Sequence, residues 1–238
     1  MQSIFLFLPE IYDTLIFDLT KEFSDKSAII RGIQNESNSV KMAEKLLRLY
    51  FKFPIPHVDI IKRIPSEAGL GGGSSDAACF ISSIFNIWKL PLEEKLDFMN
   101  KAKSLGADCI VFLHKYFLNK RALFLDGTGL DGIIKPIELP ELKSKYIVLV
   151  NNGTKLSTAK VFAKYNGQNS ENSLQEAAVE LEPSISFILN DLEKTTPVLC
   201  RMSGSGTTCF GIYGSYEEAR EATTILLEKY RFVKISEL

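Results

Sequence analysis

Residues 67–78 read EAGLGGGSSDAA, a glycine-dominated loop that runs through two serines and an aspartate into an apolar stretch. Glycine costs roughly 0.5–1 kcal/mol of folding entropy relative to alanine in regular structure, so Gly69, Gly71, Gly72 and Gly73 together need a physical reason. Close approach supplies one. Without Cβ atoms a loop can turn its N–H groups around an anion, and the next helix offers unpaired amides and about half a positive charge at its N-terminus. Ser74 and Ser75 then add hydroxyl donors or cap the helix. The competing interpretation is a tight strand-to-helix turn with Ser74 as an ordinary N-cap. Spacing excludes two familiar phosphate loops. G-x-x-x-x-G-K-(S/T) fails because no lysine comes after these glycines, and G-x-G-x-x-G fails because serine stands at position 74.

Upstream of the loop, Val58–Ile64 alternates as a strand, and Pro65 ends it because proline has no N–H to donate. Downstream, Ala77, Ala78, Ile81, Ile84, Phe85 and Trp88 make a broad apolar stripe, predicting a largely buried helix from Ser74. A further helix over Pro91–Ser104 begins with proline and has Gly106 just past its end. Asp108 comes directly after that stop, where an aspartate is ordinarily a solvated turn residue. Towards the N-terminus, Ser3–Leu8 and Asp13–Leu19 alternate around Pro9-Glu10 as a β-hairpin. Val40, Ala43, Leu47 and Tyr50 share one face of a helix capped by Asn38 or Ser39.

The Gly- and Pro-rich segment after Asp126 marks a domain boundary, placed as 1–135 and 136–238. Beyond it the pattern is strand (Tyr146–Val150), helix (Ser157–Tyr165), helical pair (Ser173–Glu193), strand (Val198–Met202), strand (Thr208–Tyr213), helix (Ser215–Tyr230) and strand (Phe232–Ile235). That order implies a ferredoxin-like α+β layer.

Bulk composition fits two small domains: 238 residues, 45% hydrophobic, 24% charged, net charge −1. This balance gives no support to nucleic-acid or anionic-membrane binding. No apolar run approaches the roughly 20 residues of a membrane-spanning helix, and the N-terminus lacks the basic region of a signal peptide. Cys79, Cys109, Cys200 and Cys209 lie far apart and lack zinc-ligand spacing, so all four are expected to be buried thiols in a reducing cytoplasm.

IPSEAGLGGGSSDAA at 64–78 resembles the phosphate-binding motif of the GHMP kinases, and three further stretches agree in order. SLGADCIVF at 104–112 is similar to the family's L-G-A-D-V-P-F segment, whose aspartate is the catalytic base, which carries that role onto Asp108. RMSGSGTTCFGIY at 201–213 resembles the third motif, implying that Ser203, Gly204, Ser205 and Gly206 close on nucleotide phosphates. KLSTAKVF at 155–162 is similar to the substrate-contacting S-T-x-x-(V/I)-(F/Y), implying that Thr158 and Phe162 meet the acceptor and its cytosine. The resemblance further implies ATP contacts for Gly69, Leu70, Gly71, Gly72, Gly73, Ser74 and Ser75, with Lys62 beside the adenine and Asn38 and Ser39 at the nucleotide pocket. Asp76 stays structural.

The resemblance implies a two-domain α+β fold, with a ribosomal protein S5 domain 2-like N-terminal domain and a ferredoxin-like C-terminal domain. The implied reaction is ATP- and Mg²⁺-dependent phosphorylation of a cytidyl diphosphate-linked polyol in non-mevalonate isoprenoid synthesis. A cytoplasmic monomer or weak homodimer goes with it. Homoserine- or mevalonate-type kinases and a non-catalytic nucleotide-binding relative are the alternatives. The family's first motif, a K-(I/L)-N-L strand and a G-(Y/F)-H-E segment, has no counterpart, so the sequence is expected to start at an internal methionine of a longer product. NSLQ at 172–175 replaces N-D-L-E and is expected to weaken a C-terminal contact.

Overall fold

The computed structural model describes residues 2–19, 30–31, 38–119, 122–127, 132–165 and 172–238. Part of the expected boundary segment, 128–131, lies outside these. The chain forms two compact units. One comprises Met1–Phe7, Asp13–Arg63 and Gly71–Leu139; the other comprises Leu8–Tyr12, Ile64–Leu70 and Pro140–Leu238.

The first unit contains, in order, β1 (Gln2–Leu6), β2 (Thr14–Asp18), β3 (Ile30–Arg31), α1 (Ser39–Tyr50), β4 (His57–Ile61), α2 (Gly72–Ile87), α3 (Leu92–Ala102), α4 (Ala107–Leu118), β5 (Ala122–Asp126) and β6 (Ile133–Pro136). Its strands make two sheets, ordered β1-β5-β6 and β2-β4-β3. The expected N-terminal hairpin does not form. β1 pairs antiparallel with β5 and β2 with β4, while Leu8 and Ile11 of the connection pack into the other unit around Ile147, Leu149 and Ile212. A turn does form at Pro9-Glu10, with the Ile11 amide donating to the Leu8 carbonyl at 3.3 Å, but the strands on either side take partners from elsewhere in the chain.

The core of this unit is built from the predicted faces. Val40, Ala43 and Leu47 of α1, Val58 and Ile60 of β4, and Ala77, Ala78, Ile81, Ile84 and Phe85 of α2 are all buried together; Tyr50 is half exposed. Aromatic rings close the far end of α2. Trp88, its C-cap residue, stacks on Phe53 with centroids 5.5 Å apart and donates its indole N–H to the Pro54 carbonyl at 3.1 Å. A helix absent from the sequence expectations, α4, begins directly after Gly106 and contributes Cys109, Ile110 and Leu113 to the core.

The second unit contains β7 (Tyr146–Asn151), α5 (Thr158–Lys164), α6 (Gln175–Leu181), α7 (Ser184–Glu193), β8 (Leu199–Met202), β9 (Cys209–Tyr213), α8 (Tyr216–Leu227) and β10 (Phe232–Glu237). The sheet order β10-β7-β9-β8, antiparallel throughout, is the ferredoxin-like arrangement read from the sequence. Alternation splits β7 between two apolar layers. Val148 and Val150 face the helices, whereas Ile147 and Leu149 face Leu8, Ile11 and Leu70. All four cysteines are free, but only Cys109 and Cys209 are buried; Cys79 and Cys200 are half-buried, because each lies at the margin of its core.

Candidate active site

The start of α2 differs from the simple capped turn. Gly71, at φ +64°, is the N-cap residue, and helical geometry begins at Gly72, so Ser74 stands inside the first turn and caps nothing. The first intrahelical bond runs from Ser75 N–H to the Gly71 carbonyl at 2.8 Å. The amide of Ser75 is therefore spent, a correction to its expected role as an anion donor. Ahead of it, the amides of Gly72, Gly73 and Ser74 have no partner within the helix.

Two other helices begin at this place. A Cβ at Gly71 would lie 2.9 Å from the Phe112 ring and 3.9 Å from Oδ2 of Asp108. A Cβ at Gly73 would lie 3.1 Å from the Ser39 hydroxyl. Asp108 is in the first turn of α4, not in a turn after α3, and Ser39 is the first residue of α1. Asn38 caps α1 by accepting from the Val40 amide at 2.8 Å. Three helix N-termini thus gather around Gly71–Gly73, each adding positive potential. Asp108 is open to solvent, yet the surrounding protein displaces enough water from its carboxyl to raise its pKa above the ordinary carboxylate value.

Lys62 sits just past β4 with its ammonium between two carboxylates, 2.7 Å from Asp76 on α2 and hydrogen-bonded to Asp13 ahead of β2. The backbone amide of Arg63 also donates to Asp13. Desolvation of the ammonium lowers its pKa, but the hydrogen bonds and charge attraction of Asp13 and Asp76 together outweigh it, so the lysine proton is harder to remove than usual. Asp76 keeps the structural part expected of it, through this ion pair. Asp13 went unread in the sequence, since nothing in its neighbourhood signals a partner so distant along the chain.

In the second unit, residues 64–70 interlock with the 203–206 turn. Gly69, at φ +71°, leaves no room for a side chain: a Cβ would stand 2.2 Å from the Ser203 carbonyl oxygen. The Gly69 carbonyl accepts from Ser203 Oγ at 2.9 Å, and the Ala68 carbonyl from the Thr208 amide at 3.1 Å. Close approach is indeed the reason for this glycine, although what approaches is another glycine turn. Behind the turn, Asn151 donates to the hydroxyls of Thr207 and Thr208, and Thr207 Oγ1 donates to the Thr154 carbonyl. Thr158, at the start of α5, shares a 2.8 Å hydrogen bond with Ser205. Phe162, one turn on, is 43% exposed. The NSLQ segment holds the strand end and turn at residues 202–204. Asn172 donates to the carbonyls of Met202 and Gly204, and Gln175 accepts from the Met202 amide at 2.9 Å.

Residues 38–115 match the profile of the GHMP kinases N terminal domain and residues 154–231 that of the GHMP kinases C terminal domain. The chain belongs to the GHMP kinase family. Similar curated relatives are 4-diphosphocytidyl-2-C-methyl-D-erythritol kinases. That of Wolbachia sp. subsp. Brugia malayi (strain TRS) is 34% identical, with 83% of this chain and 73% of the relative aligned. That of Ehrlichia chaffeensis (strain ATCC CRL-10679 / Arkansas) is 32% identical, with 93% and 83% aligned. The crystal structure of a 4-(cytidine 5'-diphospho)-2C-methyl-D-erythritol kinase shares the fold at a TM-score of 0.74 and 24% identity, covering 94% of this chain and 85% of that one. L. major mevalonate kinase in complex with R-mevalonate shares it at 0.68 and 14% identity, covering 99% and 89%.

Proposed function

We propose that this chain transfers the γ-phosphate of ATP to a hydroxyl of 4-diphosphocytidyl-2-C-methyl-D-erythritol, a step of non-mevalonate isoprenoid synthesis. The observation that carries the reading is the placement of the Asp108 carboxylate beside Gly71, at the mouth of the unpaired amides of Gly72, Gly73 and Ser74. Phosphoryl transfer asks for little else from a protein: donors that neutralise the phosphates and a group that orients the acceptor hydroxyl and takes its proton.

In this reading the three amides and the start of α2 cradle the β- and γ-phosphates, with Ser39 at their flank. Asp108 takes the acceptor proton, and its raised pKa makes it a stronger base than an ordinary carboxylate. Lys62, Asn38 and Leu70 bound the nucleoside, the 203–206 turn lies against the phosphates, Thr158 orients the acceptor, and the exposed Phe162 ring stacks on the cytosine. Among the described residues no group of three or more His, Cys, Asp or Glu could hold a metal ion. Mg²⁺ therefore fits as an ion carried on the nucleotide's own phosphates, where it neutralises their charge. No described helix is long and apolar enough to cross a membrane.

Release of ADP by the purified protein, measured over an acceptor panel, tests the assignment. Turnover with the cytidyl alcohol and none with homoserine or mevalonate is expected. The reverse pattern rejects it.

A further inference from the structure

Asn151, the last residue of β7, is 1% exposed and engages both ends of its amide. Its Oδ1 accepts from the Gly153 amide at 2.7 Å, which fixes the orientation of the group, and Nδ2 donates to the hydroxyls of Thr207 at 2.9 Å and Thr208 at 3.1 Å. A hydroxyl has one proton. Because Thr207 accepts from Asn151, its own proton is left for the Thr154 carbonyl, which it reaches at 2.8 Å. Both threonines are closed off from solvent. A second link joins the same two pieces of chain, where exposed Thr158 and buried Ser205 share a hydrogen bond of 2.8 Å. The stretch from Thr154 to Thr158, with Leu156 buried between them, is thus pinned at each end to residues 205–207. Buried amides and hydroxyls stabilise a fold little more than apolar side chains of the same shape. What a satisfied network adds is a single fixed geometry.

We propose that Asn151 and Thr207 are positioning residues for the phosphoryl acceptor: through the Thr154 carbonyl they lock the segment that carries Thr158 to the glycine turn, so that nucleotide and acceptor hydroxyl keep one fixed separation. The proposal rests on the roles assigned above to the 203–206 turn and to Thr158. Asn151 and Thr207 act only through Thr154 and the turn, being themselves shut away from any reactant. Group transfer tolerates little error in such a separation, a misplacement of about 1 Å costing on the order of 10²-fold in rate. The turn itself has other ties: Asn172 donates to the Met202 and Gly204 carbonyls, Ser203 to the Gly69 carbonyl and the Thr208 amide to the Ala68 carbonyl. Cutting the Asn151–Thr207–Thr154 chain therefore frees the acceptor segment and leaves the turn in place.

Steady-state kinetics with the cytidyl alcohol, paired with calorimetry of ATP binding to the full chain, tests this. Thr207→Val keeps the shape of the side chain and removes both of its hydrogen bonds. It is expected to lower kcat/KM for the acceptor roughly ten- to hundredfold and to leave the Kd for ATP unchanged. Thr207→Ser, which keeps the hydroxyl, is expected to retain natural kinetics, and Asn151→Ala to show the same one-sided loss as Thr207→Val. If one of these last two fails to fold, the other decides. An unchanged acceptor kcat/KM in the folded variant, an equal loss in Thr207→Ser, or a loss of ATP affinity as large as that on the acceptor side overturns the proposal. Failure of both Thr207→Val and Asn151→Ala to fold marks the network as structural and overturns it too. A natural chain that binds ATP without turning over the cytidyl alcohol overturns the assigned reaction and takes this inference with it.

Discussion

Asp108 and Gly69 show how differently two motif residues can be bound by their surroundings. Desolvation alone acts on the Asp108 carboxyl and raises its pKa, so the acid limb of kcat/KM should lie above the ordinary carboxylate range, activity falling as pH drops through it. In Asp108→Asn that limb should disappear, with turnover down by a factor of about 10² or more and ATP affinity retained, read from pH–rate profiles and calorimetry. Gly69 is a matter of space. Its Cβ would collide with backbone at 2.2 Å in a left-handed conformation, so Gly69→Ala should cost about 2 kcal/mol or more in urea unfolding. The sequence announced both residues, one through its segment and one through the cost of glycine. It could not announce what Gly69 meets, because the Ser203 carbonyl is a neighbour only in three dimensions. For the same reason Asp13 was read only as the first residue of a strand, and nothing in the sequence tied Lys62 to two carboxylates.

At the level of elements, periodicity was a good guide where one face is apolar and a poor one where tertiary contacts choose the partner. α1, α2, α8 and the four strands of the second unit's sheet keep to their patterns within a few residues of the expected ends. The capping box of α8 is complete: the Ser215 side chain accepts from the Glu218 amide, and Glu218 reaches back to the Ser215 amide. Ser215→Ala should lose about 1 kcal/mol of stability with kcat and KM unchanged, since the cap lies outside the proposed machinery. α4 escaped notice because it begins immediately after Gly106, whose helix-stopping signal for the preceding segment masks the start of the next. The N-terminal hairpin was misjudged in the opposite sense, its turn chemistry being sound locally while each strand found a better mate elsewhere in the chain.

Across the whole molecule, neither unit is one continuous stretch of chain. The second borrows Leu8–Tyr12 and Ile64–Leu70 from the amino-terminal half, and Leu8, Ile11 and Leu70 line one face of its sheet. A fragment comprising 136–238 alone would lose Leu8, Ile11 and Leu70 from the layer over Ile147, Leu149 and Ile212 and keep only the part supplied by residues such as Leu142, Phe210 and Phe232. It should be less stable than the same unit in the full chain by a few kcal/mol, at about 1.5–3 kcal/mol per well-buried aliphatic side chain, measurable by circular dichroism melting of the fragment against the intact protein. A linker-rich segment suggests a clean cut where the packing allows none, and the sequence alone held no sign of the borrowed pieces. The sole tryptophan supplies a natural optical gauge of this architecture. Trp88 ends α2, a helix of 16 residues, and so stands about 24 Å from the glycines at its other end. Adding nucleotide should leave the emission colour of that indole unaltered if the rod is rigid, and any shift would report bending carried along its length.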